Sequence, residues 1–385
     1  MSRSELNRIV GKEVTEKIYH ILKNAEKKDI LDPMFWRNNI KELCSLDHPD
    51  SGISITDLIY IFNFFGRISI DLRDAIGLGH GRLLTLIKGK KFRKEIDLIS
   101  QGKSYCAICI TEDTGGTDLH SIKTKATRFN SGYILNGEKK FVARLNQADI
   151  YLVFANVPSI DNGLTVFLVN SDTKGISVTD IDSLGLHGIS WGCLKLDNVY
   201  VDKGNRIGGE GQGFSLFSTH FTFWRCAMAS VGTGAAQHAL NLAKNRLKNR
   251  NAFGAPIGRF THLQQQYAEH VSKIYMSSLL ISNTTKRIEN KKYSYIDSAM
   301  VKSECIEFAI QAVQWVMLIH GAYGYSTDSG LEKIIRDLLG LRIADGTTDV
   351  LRGQVSRGLL SEELYNLSLG NINEKQNFIR ERILW

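Results

Sequence analysis

Proline is scarce in this chain, 4 of 385 residues, while hydrophobic residues make up 43% and charged ones 23%. That balance excludes a disordered chain and supplies ample material for cores. Long apolar runs are also lacking. The opening twenty residues mix both charges without an apolar stretch, and nothing downstream approaches the length that spans a bilayer, so the expectation is a cytoplasmic protein with no membrane part. Cysteine is sparse and scattered, at positions 44, 106, 109, 193, 226 and 305. Only Cys106 and Cys109 are close, and no second pair or matching histidine spacing completes a zinc site. On a strand, residues three apart point to opposite faces, so these two sulfurs are expected to be structural and unbridged.

What is present is length and positive charge. A chain of 385 residues is long for one hydrophobic core, which suggests two or three packed units. The formal charge of +8 is concentrated in short clusters at Lys88–Lys94, Lys244–Arg250 and Lys286–Lys292. Such clusters are common as solvated faces, and they also suit an acidic partner. Nucleic acid is disfavoured, because aromatic residues are not interleaved with the basic runs and no nucleic-acid module signature occurs.

The patterning divides the chain in three. Residues 1–103 carry helical spacing, as in Ile55, Leu58, Ile59, Phe62 and Phe65. From Ser104 to Gly213 the texture changes to short β-branched runs, Tyr133–Leu135, Ile150–Phe154 and Leu164–Val169, separated by Asn-Gly and Asp-Asn-Gly signals read as turns. Beyond it, Phe214–Arg250, Thr261–Asn290 and Ile296–His320 return to a 3.6-residue period over lengths that suit a bundle spanning 214–385, with a polar, loosely held end from Gly370 to Trp385. This α-β-α order without alternation argues against a dinucleotide-binding doubly wound sheet. Gly77–Gly81 follows a helical-looking segment, and Gly208–Gly213 has the wrong spacing for a dinucleotide fingerprint, so both are read as turns.

The run from Cys106 to Asp118 (C-A-I-C-I-T-E-D-T-G-G-T-D), followed by Ile122–Ala126 and Leu135–Lys139, resembles the flavin-binding stretch of acyl-CoA dehydrogenases. The family order continues through Leu184–His187, Val199–Val201, Ile207–Phe214, Arg250–Gly254, Gly324–Tyr325, Arg336–Asp337 and Asp345–Thr347. The resemblance implies an α+β fold with an N-terminal all-α domain, a middle β-barrel domain and a C-terminal four-helix bundle. It implies FAD as cofactor and a homodimer or homotetramer.

Site residues follow from the same resemblance. Ile108, Ile110 and Thr111 fall on the stretch beside the flavin ring, Thr117 near ligand and flavin phosphates, and Phe141 in place of the usual Trp against the flavin face. Ala143 replaces a Thr near flavin N5. Arg250 and Phe253 match the pair that reaches FAD of a neighbouring subunit, and Gly321, Thr347 and Asp349 match further cofactor positions. Arg225 stands beside the thioester in the family pattern, next to Trp224, and Ala344 replaces an aromatic at the substrate. The catalytic carboxylate, a Glu in much of the family, is Asp345 here; the alternative site for that base holds Trp224.

Asp is shorter than Glu by one C–C bond, about 1.5 Å, and misplacements near 1 Å cost about a hundredfold in rate. Together with Ala143, Ala344 and Leu318, which replaces a Gln near the cofactor, this points away from ordinary fatty-acid oxidation. The sharper expectation is a small acyl group carried on an acyl carrier protein, as in relatives making hydroxymalonyl or aminomalonyl extender units for polyketide or peptide antibiotics. There Asp345 would act on an aldehyde hydrate, whereas in conventional α,β-desaturation of an acyl-CoA it would take an α-proton. The electron acceptor is an electron-transfer flavoprotein or O2. A flavin monooxygenase on the same fold and a non-catalytic nucleic-acid binder are the other readings.

Overall fold

The computed structural model describes residues 3–292 and 295–360. The polar end expected to be loosely held, Gly370–Trp385, lies outside the described residues. The chain forms two compact units, one of residues 1–53 and 74–220, the other of residues 54–73 and 221–385.

In the first unit lie the short helices α1 (Arg3–Val10), α2 (Lys12–Asn24), α3 (Lys27–Leu31) and α4 (Pro33–Asn39); α1, α2 and α4 bury one face each, with Leu6, Ile18 and Trp36 fully enclosed, while α3 buries no residue. Helix α4 begins where its sequence dictates. Asp32 caps it by accepting from the Met34 N–H at 2.8 Å, and Pro33 sits in the first turn, where its missing N–H costs nothing.

The sheet of this unit holds eight strands: β1 (Cys106–Cys109), β2 (Lys125–Phe129), β3 (Gly132–Ala143), β4 (Ile150–Asn156), β5 (Leu164–Asn170), β6 (Ile176–Asp180), β7 (Trp191–Asp202) and β8 (Arg206–Ile207). Its order is β6-β7-β3-β2-β4-β5-β8, with β1 pairing parallel to β4 outside that path. Strands β5 and β7 are not ladder neighbours, yet Phe167 and Val169 of β5 share one core with Leu194, Leu196, Val199 and Val201 of β7. The sheet therefore closes around a single interior, as a barrel does.

One expected turn is corrected. Asn136-Gly137 lies inside β3, where the register against β7 shifts between Leu135 and Gly137; the reversal falls earlier, at Asn130, φ 50°. The physical reason is local: a side chain on Gly137 would collide with Thr124, so glycine serves a bulge here. The Asp161-Asn162-Gly163 signal is a turn, with Asn162 at φ 53°. Cys106 and Cys109 are free and buried, as strand geometry requires, and burial pushes the Cys106 thiol up to about 12.

In the second unit, α5 (Ile55–Gly66) packs with α8 (Thr261–Glu289), and α9 (Tyr295–His320) with α8, α11 (Leu331–Ile343) and α12 (Thr348–Leu359). Helix α6 (Arg93–Ser100) belongs to the first unit; α7 (Gly213–Asn249) contributes residues to both, and α10 (Ala322–Tyr325) is a single turn after α9. Helices α5 and α7 approach closely because Gly66 faces the Val231 backbone and Gly234 faces that of Asn63; a β-carbon at either position would overlap main chain. Among the described residues no helix is long and apolar enough to cross a membrane.

Candidate active site

The first unit carries the residues expected at the flavin ring. Past the end of β1 the chain turns through Ile110, Thr111 and Glu112, and Glu112 organises the turn. Its carboxylate accepts from the Thr124 hydroxyl at 2.5 Å, the Lys123 N–H at 2.7 Å and the Lys139 ammonium at 2.6 Å. Lys139 is fully enclosed and also donates to the Ile110 carbonyl at 3.0 Å. Burial alone would raise the Glu112 carboxyl, but the Lys139 charge and these hydrogen bonds hold it below the usual carboxylate range. The ion pair thus fixes the segment bearing Ile110 and Thr111 from both sides, and Thr111 O accepts from the Lys140 N–H at 2.8 Å. Gly116 lies beside the Thr111 methyl, and Thr117 is exposed on the same loop. Ile108, on β1, is half-buried.

Phe141 stands where β3 is irregular, between the register positions Lys139 and Val142. Its φ is 59° and its side chain is 48% exposed, an arrangement that a bulky apolar residue does not adopt without cause. Behind it, Trp191 of β7 stacks on the ring at 5.1 Å and 27°, and the indole N–H donates to Phe141 O at 3.0 Å. Trp191 pairs in register with Ala143. The indole also lines an open cleft of about 420 Å³ formed with Asp180, Asp182, His187, Ile189 and Ser190. Trp191 was not anticipated from sequence, since a lone Trp in a β-rich stretch reads as core.

The second unit carries the expected carboxylate. Asp345 follows α11 in a short turn with φ 61°, a region that Asp enters more readily than most residues, and Gly346 continues it at φ 103°. Arg225 of α7, 1% exposed, donates from Nε to Asp345 O at 3.1 Å, from Nη2 to the Tyr295 hydroxyl at 2.6 Å and from Nη1 to Gln354 at 3.4 Å. Its guanidinium lies over the Tyr295 ring, 4.2 Å from the centroid. Ala344 is exposed beside the carboxylate. Trp224 is 3% exposed and meets Phe62 edge-on at 6.2 Å, so it contributes a packed aromatic wall. Thr347 caps α12, accepting from the Val350 N–H at 3.4 Å, and Asp349 is exposed in the first turn.

Arg250 and Phe253 lie just beyond α7 in the second unit. Arg250 is exposed at the end of α7. Phe253 occupies a two-residue hairpin turn between β9 (Asn251–Ala252) and β10 (Ala255–Pro256), with Phe253 at φ 53° and Gly254 at φ 80°. Both central residues being left-handed matches the tight turn that right-twisted strands prefer, and it leaves the Phe253 ring 87% exposed. Leu318 is 78% exposed and Gly321 takes φ 62° at the start of α10. Of the nine non-glycine residues with positive φ among those described, three are Phe141, Phe253 and Asp345, each expected at the site from sequence. Backbone strain of this kind collects at functional positions.

Residues 107–199 match the middle domain of acyl-CoA dehydrogenases and residues 211–360 the C-terminal domain. Mitochondrial isobutyryl-CoA dehydrogenase of Bos taurus is 31% identical over 267 residues, 68% of this chain and 63% of that protein, so the chain spans less than two thirds of that relative's length. The caffeyl-CoA reductase-Etf complex subunit CarC of Acetobacterium woodii is 30% identical over 304 residues, covering 77% of this chain and 79% of that one. Among solved structures, the prolyl acyl carrier protein oxidase AnaB superposes with a TM-score of 0.81 at 22% identity over 92% of this chain and 97% of that chain. The FAD complex of PigA gives 0.82 at 20%, covering 93% and 98%. This chain belongs to the acyl-CoA dehydrogenase family, and its fold is that family's α+β fold.

FAD is the cofactor of this family, and the residues present fit it. Phe141 offers an exposed aromatic face backed by a second ring, Thr111 offers a hydroxyl on the anchored loop, and Arg250 offers an exposed guanidinium. No group of three or more His, Cys, Asp or Glu among the described residues is placed to hold a metal.

Proposed function

We propose that the chain is an FAD-dependent dehydrogenase of acyl thioesters in which Asp345 is the base, and that its substrate is a small acyl group held on an acyl carrier protein. The observation that carries the reading is the Asp345 turn. Asp345 has a left-handed backbone and its own carbonyl is tied to a buried arginine, so the main chain that presents the carboxylate is held before any substrate arrives. Bound FAD would supply the acceptor for the hydride leaving the substrate. Asp345 would take the matching proton, from an α-carbon in desaturation or from the hydroxyl of an aldehyde hydrate in the extender-unit reaction.

Carrier-protein delivery is supported by the basic cluster and by one neighbour in fold. Lys88, Lys90, Lys91, Arg93 and Lys94 are all exposed in the first unit, although Arg93 is partly neutralised by Asp50 at 2.6 Å and Asp97 at 2.9 Å. AnaB, of the same fold, is named for a prolyl acyl carrier protein. The CoA thioester is the second reading, favoured by the isobutyryl-CoA relative. Oxidation passes electrons on to an electron-transfer flavoprotein or O2, and a homodimer or homotetramer would bring Arg250 and Phe253 to a neighbouring cofactor.

Anaerobic mixing of the yellow protein with short acyl thioesters, on CoA and on carrier protein, separates these readings. Flavin bleaching with carrier-linked three-carbon substrates alone establishes the first, and bleaching with CoA esters alone establishes the second. No bleaching with any thioester overturns the dehydrogenase assignment and leaves a monooxygenase in its place.

A further inference from the structure

Where α11 ends, its last carbonyls lose their helical partners, and the chain must pass through Asp345 and Gly346 before α12 begins. Main-chain hydrogen bonds flank this turn: the Ala344 N–H still reaches Gly340 O at 3.0 Å, and the Leu351 N–H reaches Thr347 O at 2.9 Å. Side chains bind the turn as well. Lys302 of α9, with no exposed surface, donates to Arg342 O at 3.0 Å and to Gly346 O at 2.7 Å, one carbonyl on each side of Asp345.

We infer that Lys302 is a positioning residue for Asp345, its ammonium gripping both ends of the turn that aims the carboxylate. The inference rests on the reading of Asp345 as the base. Lysine is seldom fully enclosed, and this one spends its hydrogen bonds on two neutral carbonyls that bracket Asp345. What it secures is the path of the segment that carries the carboxylate. Arg225 holds Asp345 O from α7 at 3.1 Å, so cations from two helices take three carbonyls around one carboxylate.

The charges facing Lys302 are Asp345 from the turn, Arg225 from α7, Glu307 on its own helix and Arg342 from α11. Glu307 is itself engaged by Arg342 Nε at 2.6 Å and by the Thr348 hydroxyl at 2.7 Å, while Arg352 of α12 pairs with Glu304 at 2.8 Å. Burial pushes the Lys302 ammonium down to about 7, against the opposing pull of Asp345. The grip therefore changes character in the neutral range, and alignment of the base weakens as pH rises through it.

The test follows thioester-driven flavin bleaching in stopped flow, with bound FAD measured by absorbance, for wild type, Lys302→Met, Lys302→Gln and Asp345→Asn. Lys302→Met is expected to keep its FAD and its half-saturating substrate concentration while the limiting rate falls about 10- to 100-fold. Its profile should lack the decline above neutrality that is expected of wild type. Lys302→Gln, which retains two N–H donors without charge, should fall between the two in rate and lack the same decline; it carries the test if Lys302→Met does not hold FAD. A variant at 302 with full FAD, wild-type rate and wild-type pH profile overturns the inference. So does a wild-type limiting rate that stays level from about pH 6 to about pH 9. Full bleaching in Asp345→Asn would instead overturn the base assignment itself, whatever the variants at 302 do.

Discussion

Among the described residues each unit contains one lysine with no exposed surface, Lys139 and Lys302, and the two differ in what receives them. Lys139 meets a carboxylate, Glu112, as well as the Ile110 carbonyl, while Lys302 donates to the carbonyls of Arg342 and Gly346. A buried charge with a bonded counter-charge is a fixture, because removing either member strands the other. A buried ammonium held by dipoles is adjustable, and its charge responds to pH near neutrality. The strand-built half thus has a rigid anchor beneath the segment that bears Thr111, and the helix-built half has a responsive one beside Asp345, the proposed base.

The largest effect that would sharpen this contrast is expected at Asp345. Asp345→Asn should lower the rate of flavin bleaching by about 10²- to 10⁴-fold while FAD content is unchanged, and bleaching at the wild-type rate would remove the helix-built half from the chemistry. Next comes the rigid anchor. Lys139→Met should destabilise the protein by about 3–5 kcal/mol in urea or thermal unfolding, because Glu112 is left buried without its partner. Adding Glu112→Gln should recover part of that loss; equal stability of the single and double variants would mean that Glu112 is not held as described.

The same pair predicts a pH effect of definite sign. Because the folded state holds the Glu112 carboxyl below its free value, its contribution to stability is present at neutral pH and is lost as pH falls through and below the ordinary carboxylate range. Glu112→Gln should flatten that acid-side slope in denaturation curves taken across the range. The smallest effect is expected at the aromatic plate. Phe141→Ala should weaken FAD binding by about 0.5–1.5 kcal/mol, the scale of one aromatic pair, visible in a fluorescence titration of apoprotein. Unchanged affinity would show that Trp191 alone suffices behind the ring.

Much of this was legible in the sequence, for identifiable reasons. Thr111, Phe253 and Asp345 stand in motifs whose order is hard to produce by chance, and the three long helices appear within a residue or so of their expected bounds because a 3.6-residue period sustained over such lengths has no competing interpretation. Asn136-Gly137 was misleading because the dipeptide that favours a reversal also suits a bulge, and only the partner strand decides between them. Lys139 was visible in its motif without its role, since lysine is ordinarily a surface residue. Lys302, Tyr295 and Trp191 gave no local signal. Each matters through a contact far away in sequence, 40 to 44 residues for the Lys302 carbonyls, 70 for Arg225 with Tyr295 and 50 for Trp191 with Phe141.

The free cysteines have a practical consequence. Cys106 and Cys109 are sealed in the first unit, Cys226 and Cys305 in the second, and burial raises all four thiols. None should react with an alkylating reagent until its own unit opens. Peptide-resolved labelling of the unaltered protein would then act as two built-in clocks, timing how often each unit breathes and whether flavin or thioester slows one more than the other.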